Sequence, residues 1–351
     1  MNSNNVPLGP FDGPNSPSEF LAAWSTSRGN LRHFFEDRAL PPIDEQSQRA
    51  AGEAAVAEVF GLDPADFDSG MTSVSGAFEA ASARSVTTPD PEIPQDHTAA
   101  AFFDVDNTLI QGASIIVLAM GLARKKYFKF SEIAPVAYKQ LKFRLSGSEN
   151  ANDVAEGRQQ ALEFIKGRDV NELVELCEDI VETHMSEKIW PGTKELAEMH
   201  LNAGQQVWLV SATPVQLAQI LARQFGFTGA LGTVAEVKDG KFTGRLVGDI
   251  LHGSGKRHAV AALAAVEQLD LQRCTAYSDS INDLPMLSMV GTAVAVNPDA
   301  KLRKTALQRG WEVRDYRNVR KAVRKFGLPA IITAAFSTGA WRYLGKSKKK
   351  S

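Results

Sequence analysis

Two acidic pairs carry most of the chemical content of this sequence. The first lies in Phe102-Phe103-Asp104-Val105-Asp106-Asn107-Thr108-Leu109, where two carboxylates one residue apart follow directly on an apolar run. The second lies in Ala276-Tyr277-Ser278-Asp279-Ser280-Ile281-Asn282-Asp283-Leu284-Pro285, again just past an apolar run. Taken alone, either segment is equally an acidic turn closing a strand. Taken together, carboxylates from both would repel one another unless a cation sits among them. Two other segments supply groups of the opposite kind. Val210-Ser211-Ala212-Thr213-Pro214 puts a hydroxyl and fresh backbone N–H groups at the start of a helix, where anions are favoured, although a simple helix cap explains Ser211 equally well. Gly253-Ser254-Gly255-Lys256 sets a lysine at the opening of another helix, either aimed at a phosphate or exposed on a flexible loop. It is not a nucleotide P-loop, because Arg257 stands where Ser or Thr is required and the first glycine is out of position. The histidines His184, His252 and His258 have no metal-ligand spacing and offer no rival scheme. Cys177 and Cys274 lie far apart and read as reduced, buried thiols of a cytosolic protein.

These groups meet only if several strands end side by side. Short apolar runs at Ala99–Val105, Gln206–Val210, Cys274–Tyr277, Thr292–Val296 and Trp311–Val313 alternate with candidate helices at Thr193–Ala203, Pro214–Phe225, Lys256–Gln268 and Leu284–Met289. That alternation predicts an α/β fold with a mostly parallel sheet covered on both faces. Ligands of such sheets collect at the carboxyl ends of the strands, where all four segments fall. Residues 112–190 break the rhythm: they are helix-forming throughout and read as a helical insertion over the site. Upstream, residues 1–17 are rich in Asn, Pro and Gly and read as irregular, and residues 18–60 have helical composition interrupted at Pro41-Pro42. Residues 61–97, with Pro64, Pro89, Pro91 and Pro94, read as a linker. The chain of 351 residues is long enough for a substantial core. Its 39 Lys plus Arg against 41 Asp plus Glu leave no global field to draw it to nucleic acid.

In this order the four segments resemble the DxDxT, Ser/Thr, Lys and DxxxD motifs of the haloacid dehalogenase (HAD) superfamily. The insertion after the first motif is similar to that of subfamily IB, the phosphoserine-phosphatase-like group. The resemblance covers about Ala99 to Asp315. It implies a Rossmann-like core with a parallel sheet over residues 98–111 and 191–320 and an inserted helical (C1-type) cap over 112–190. A partly disordered, partly helical extension and linker over 1–97 and a terminal helix and basic tail over 328–351 lie outside it. By the same resemblance Asp104 attacks phosphorus, and Asp106 protonates the leaving oxygen and then activates water against the aspartyl phosphate. Mg2+ is held through Asp104, Asp106 by its backbone carbonyl, Asp279 and Asp283. Ser211, the neighbouring Ala212 amide and Lys256 hold the phosphoryl oxygens, Thr108 braces the loop and Asn107 lines it. Dehalogenases lack the second acid, so Asp106 favours a phosphatase. A phosphomutase also carries that acid but usually has a different cap. An idle binding module predicts loss of an essential group, yet Asp104, Asp106, Lys256, Asp279 and Asp283 are all present.

The substrate is where the resemblance departs. Phosphoserine phosphatases carry a glutamate nine residues after the nucleophile to pair with the substrate ammonium, and here that position is Ala113. They also carry two glycines after the second-motif serine, where this chain has Ala212-Thr213. Arg158 is the candidate for a substrate carboxylate, or else an ordinary helix residue. The segment Ile115 to Met120 leads into Arg124, Lys125, Lys126 and Lys129, which is either a core helix with a solvated basic end or a lid that meets a lipid phosphate. The apolar stretch Leu328–Trp341 precedes Arg342 and a tail of Lys346, Lys348, Lys349 and Lys350 that is either solubilising or able to rest on an anionic membrane. The leading expectation is a cytoplasmic phosphatase of a small phosphorylated metabolite. The alternative is a peripheral enzyme at the inner membrane face that hydrolyses a lipid monophosphate.

Overall fold

A computed structural model describes residues 45–81, 88–127 and 162–317. In chain order, α1 (Glu45–Val59) and α2 (Pro64–Ala80) precede β1 (Ala100–Phe103), and α3 (Ser114–Arg124) and α4 (Val170–Ile180) follow it. Then come α5 (Pro191–Asn202), β2 (Gln206–Pro214), α6 (Val215–Gln224), β3 (Gly229–Lys238), β4 (Lys241–Val247), α7 (Ser254–Glu267) and β5 (Thr275–Ser278). The last elements are α8 (Leu284–Leu287), β6 (Thr292–Val296), α9 (Ala300–Arg309) and β7 (Glu312–Arg314). The seven strands form one sheet in the order β4-β3-β2-β1-β5-β6-β7, parallel except where β4 runs antiparallel to β3.

Alternation along the central strands divides the core into two layers, because successive side chains of a strand point to opposite faces. Ala101 and Phe103 of β1, with Leu209 and Tyr277, join an apolar cluster that includes Leu196 of α5 and Leu217 and Leu221 of α6. Ala100 and Phe102, with Trp208 and Ala276, join a second cluster built on α7 and α2. β1 is buried along its whole length, so it reads as a continuous apolar run rather than an alternating one.

The helices of the insertion that are described, α3 and α4, share the first cluster with the sheet through Leu118, Leu122, Cys177 and Ile180. An ion pair between Arg223 of α6 and Glu178 of α4 ties the same surfaces. The expected strands and helices are observed within a few residues of their predicted ends, but β3 and β4 were not expected. Asp239 and Gly240, both at positive φ, turn the chain between them, and an Asp-Gly pair between alternating segments is a hairpin signal.

The linker expected over residues 61–97 is corrected by the structure. α2 buries Phe67, Met71, Val74 and Ala77 along one stripe, and Phe78 sets its ring 6.0 Å from that of Trp208. Pro64, read as a breaker, stands in the first turn of the helix, where its missing N–H is no loss. In the described part of this stretch, irregular chain falls at residues 61–63, 81 and 88–97. The apolar stretch and basic tail at 328–351 fall outside the described residues, and among the described residues no helix is long and apolar enough to cross a membrane.

α2 docks on α7 at Gly70, where an added Cβ would stand 2.3 Å from the backbone oxygen of His258. Backbone cannot swing aside as a side chain can, so Gly70→Val must push the two helices apart. Its expected cost is about 1–3 kcal/mol, read as a lowered melting temperature; a melting temperature equal to wild type would refute this account of the docking.

Candidate active site

Adjacency of β1 and β5 at the centre of the sheet brings the two acidic segments together. Phe103 pairs with Tyr277, and the Asp104 amide donates to the Tyr277 carbonyl at 3.0 Å. α7 opens beside them and delivers Lys256, whose Nζ donates to Asp104 Oδ1 and to Asp283 Oδ2, both at 2.6 Å. The lysine is only 3% exposed. Ser278 Oγ donates to the same Asp283 oxygen at 2.7 Å, so Asp283 is engaged from two sides.

One ammonium faces three carboxyl groups here. Burial pushes the Asp104 carboxyl up to about 6 against the pull of Lys256, and Asp283 and Asp106 add to the rise. Burial, then Asp104 and Asp283, hold the Asp279 carboxyl well above the usual range. Burial works against the Lys256 charge, yet Asp104 and Asp283 outweigh it and keep the ammonium above the ordinary lysine range. The excess of negative charge and the hard oxygen donors suit magnesium, which takes one or two carboxylates and completes its shell with water and phosphate oxygens. Among the described residues no group of three or more His, Cys, Asp or Glu side chains forms a metal cage of its own.

Asp106 is held differently from Asp104. Its Oδ1 accepts from the amide of Ser114 at 2.8 Å and from the Ser114 hydroxyl at 2.5 Å. Asn107 adopts φ +56° and exchanges hydrogen bonds with Gly112 at 3.1 and 3.2 Å, and its side chain reaches Asp279. Its carbonyl is pinned by Asn297 Nδ2 at 2.8 Å. Thr108 is fully buried, with its hydroxyl unpartnered and its carbonyl bonded by Thr193 Oγ1 at 2.8 Å. At the end of β2, Ser211 is buried and Ala212 exposed, with the Ala212 carbonyl bonded by Thr233 Oγ1 at 2.9 Å.

Asp104, Lys256, Asp279 and Asp283 are therefore brought together, with Asp106 and Asn107 alongside on the loop that follows β1. Arg158 falls outside the described residues. Sequence reasoning missed Ser114, Thr213 and Asn297. Ser114 and Thr213 lie inside segments singled out for other reasons, and only their spacing from Asp106 and Ser211 hinted at contact. The basic groups at the end of α3 are engaged within the insertion: Lys125 pairs with Asp179 at 2.9 Å and Arg124 bonds His184 at 3.2 Å. Arg168 stands 4.3 Å over the Tyr127 ring.

The haloacid dehalogenase-like hydrolase family matches residues 101–288. The chain is 58% identical over 260 residues to the phosphoserine phosphatase SerB1 of Mycobacterium tuberculosis, covering 74% of this chain and 84% of that one. It is 30% identical over 221 residues to the histidinol-phosphatase of Neisseria meningitidis serogroup C, covering 62% of this chain and 98% of that one. Among solved structures, a protein of unknown function from Bordetella pertussis superposes with a TM-score of 0.56 at 29% identity, covering 62% of this chain and 98% of that one.

The raised Asp104 carboxyl has a consequence for stability. It binds its proton more tightly folded, at about 6, than unfolded, at 3.8, so stability falls as pH rises between those values and the loss is complete above them. Metal-free Asp104→Asn, neutral at every pH, should therefore melt above metal-free wild type at about pH 7.5 and lose that advantage by about pH 4. Thermal denaturation in chelator at both pH values checks this, and an equal gap at the two would contradict it.

Proposed function

The chain belongs to the haloacid dehalogenase-like hydrolases and is a phosphoric monoester hydrolase, and on that premise we propose that it is a magnesium-dependent phosphatase working through an aspartyl phosphate on Asp104. The observation that carries this reading is the buried Lys256 bridge to Asp104 and Asp283, beside an Asp106 whose Oδ1 is fixed by Ser114. Asp104 is the nucleophile: its carboxylate attacks phosphorus as the ester oxygen departs. Asp106 gives that oxygen a proton, then takes one from the water that attacks the aspartyl phosphate. Lys256 offsets negative charge on both the nucleophile and the phosphoryl oxygens. Ser211 and the Ala212 amide, near the carboxyl end of β2 rather than at the helix start the sequence suggested, receive the remaining oxygens, and Asn107 lines the loop. Asp104, the Asp106 carbonyl and Asp279 would hold magnesium, with Asp283 behind them already bonded by Lys256 and Ser278. When bound, the ion supplies charge neutralisation at the phosphoryl group.

We assign residues 112–190 as the cap over this site, on a core of residues 98–111 and 191–320. The substrate class is a small phosphorylated metabolite. The relatives named for phosphoserine and for histidinol phosphate support that class. Ala113 supports a recognition that does not depend on a carboxylate at the start of α3, since it is a buried N-cap residue with no charge to offer.

With Mg2+, purified protein should hydrolyse 4-nitrophenyl phosphate and at least one of phosphoserine, histidinol phosphate, glycerol phosphate or a sugar phosphate. Asp104→Asn should lose at least about a thousandfold in turnover, as removal of a nucleophile does elsewhere. A wild type inert on the whole panel, or a mutant as active as wild type, would sink the proposal.

A further inference from the structure

The turn between β6 and α9, Asn297-Pro298-Asp299, supplies no group to the chemistry, yet it bonds both acidic loops. On the first loop, Asn297 Nδ2 donates to the Asn107 carbonyl at 2.8 Å. On the second, the Asp299 amide donates to the Asp279 carbonyl at 2.8 Å, and Asp299 Oδ2 accepts from the Ile281 amide at 2.8 Å. Asn107 in turn sends its side chain to Asp279. The contacts close a ring that runs from Asn297 through Asn107, Asp279 and Asp299 back to its start.

Asn297 is itself held on several sides. It is 1% exposed, its amide donates to the Arg314 carbonyl at 2.7 Å, and it adopts φ +48°, a conformation that asparagine enters more readily than most residues. Its Oδ1 accepts from the Tyr316 amide at 2.8 Å, which leaves Nδ2 to face the Asn107 carbonyl. A side chain set between an N–H and a C=O must accept on one side and donate on the other, which a carboxylate cannot do. Asn107 lies in the same left-handed region, at φ +56°, and the direction open to its side chain depends on its backbone. Asn297 fixes that backbone through the carbonyl. We propose that Asn297 is a positioning residue that acts through Asn107, keeping the Asn107 side chain on Asp279 and with it the spacing between the two acidic loops. This rests on the phosphatase reading of those loops.

Glycine keeps a left-handed backbone at either position, so side chains alone can be removed from the full chain and turnover of 4-nitrophenyl phosphate followed with Mg2+. Asn297→Gly should lower kcat about tenfold or more, within the roughly hundredfold that a misplacement of about 1 Å costs, with KM within about threefold of wild type. In an Asn107→Gly background the same change should lower kcat less than about twofold, because the side chain it positions is gone. A merely structural loss would be the same in either background. If Asn297→Gly does not fold, Asn297→Asp, which keeps the acceptor for Tyr316 and removes the donor, carries the same comparison. If Asn107→Gly turns over too slowly to measure, the four proteins are compared by melting temperature, where losses that fall short of additive support the proposal and additive losses overturn it. An unchanged kcat in Asn297→Gly, or equal losses in both backgrounds, would overturn the positioning role alone. A wild type inert on the ester would overturn the phosphatase reading and the role with it.

Discussion

A single ammonium buried among carboxylates sets the terms for the rest of this structure. Lys256 bonds Asp104 and Asp283 at 2.6 Å each, and removing the lysine would strand two buried carboxylates at a cost of about 3–5 kcal/mol. The pair forms only if β1 and β5 are neighbours and α7 starts directly over their carboxyl ends. Gly255 shows how tight that start is, since a Cβ there would lie 2.1 Å from the Ile250 carbonyl oxygen. Gly255 is there for close approach and Gly253 for its positive φ of 57°, and the nucleotide motif the loop superficially suggests would need a different pattern of residues.

The residues next to Lys256 explain why the N-terminal extension belongs to the same fold. Arg257 Nη2 donates to the Gly61 carbonyl at 2.6 Å. His258 Nδ1 meets Asp249 Oδ2 at 2.8 Å and its backbone oxygen faces Gly70. The helix that carries Lys256 is therefore clamped from outside by α2, while its inner side packs against Phe102 and Trp208 in the second apolar layer. The opposite layer holds α6 together with α3 and α4. One face of the sheet thus steadies the lysine, and the other carries the helices that follow Asp104 in the chain.

Three of the four chemical segments were legible in sequence because each combines an apolar run, which fixes strand and burial, with a charged or hydroxylic residue near its end, and the fourth because a glycine-flanked lysine opens a helix. Those signals located Asp104, Lys256, Asp279 and Asp283 without any contact being visible. What sequence did not reveal was pairing by hydrogen bonds between neutral groups. Ser114 and Thr213 look like ordinary small polar residues until β2 and α3 are juxtaposed, and Asn297 lies 190 residues from the Asn107 carbonyl it holds. α2 was hidden because a proline in the first turn of a helix and a proline in a linker are indistinguishable without the burial stripe behind them. β3 and β4 were overlooked although an Asp-Gly turn joins them, the alternation there being diluted by glycine and charge.

The same distinction separates the reaction from the substrate. A phosphoryl group is recognised by charge and by oriented N–H and O–H groups, which must sit on rigid strand ends to be useful. They lie in short, recognisable segments whose residues bond one another. The organic half of a substrate is chosen by shape and by isolated charges, which on the proposed reading would come from the insertion rather than from the sheet. α3 illustrates the division. Its first residue, Ser114, is bonded to Asp106, whereas its N-cap, Ala113, presents only a methyl group where the family resemblance leads one to expect a carboxylate. A cationic substituent that needed an anion there would be left with a buried, unpaired charge, an arrangement costing several kcal/mol of recognition. On the proposed phosphatase reading, discrimination at this end would follow from fit against an apolar root, with the phosphoryl contacts common to every ester that fits.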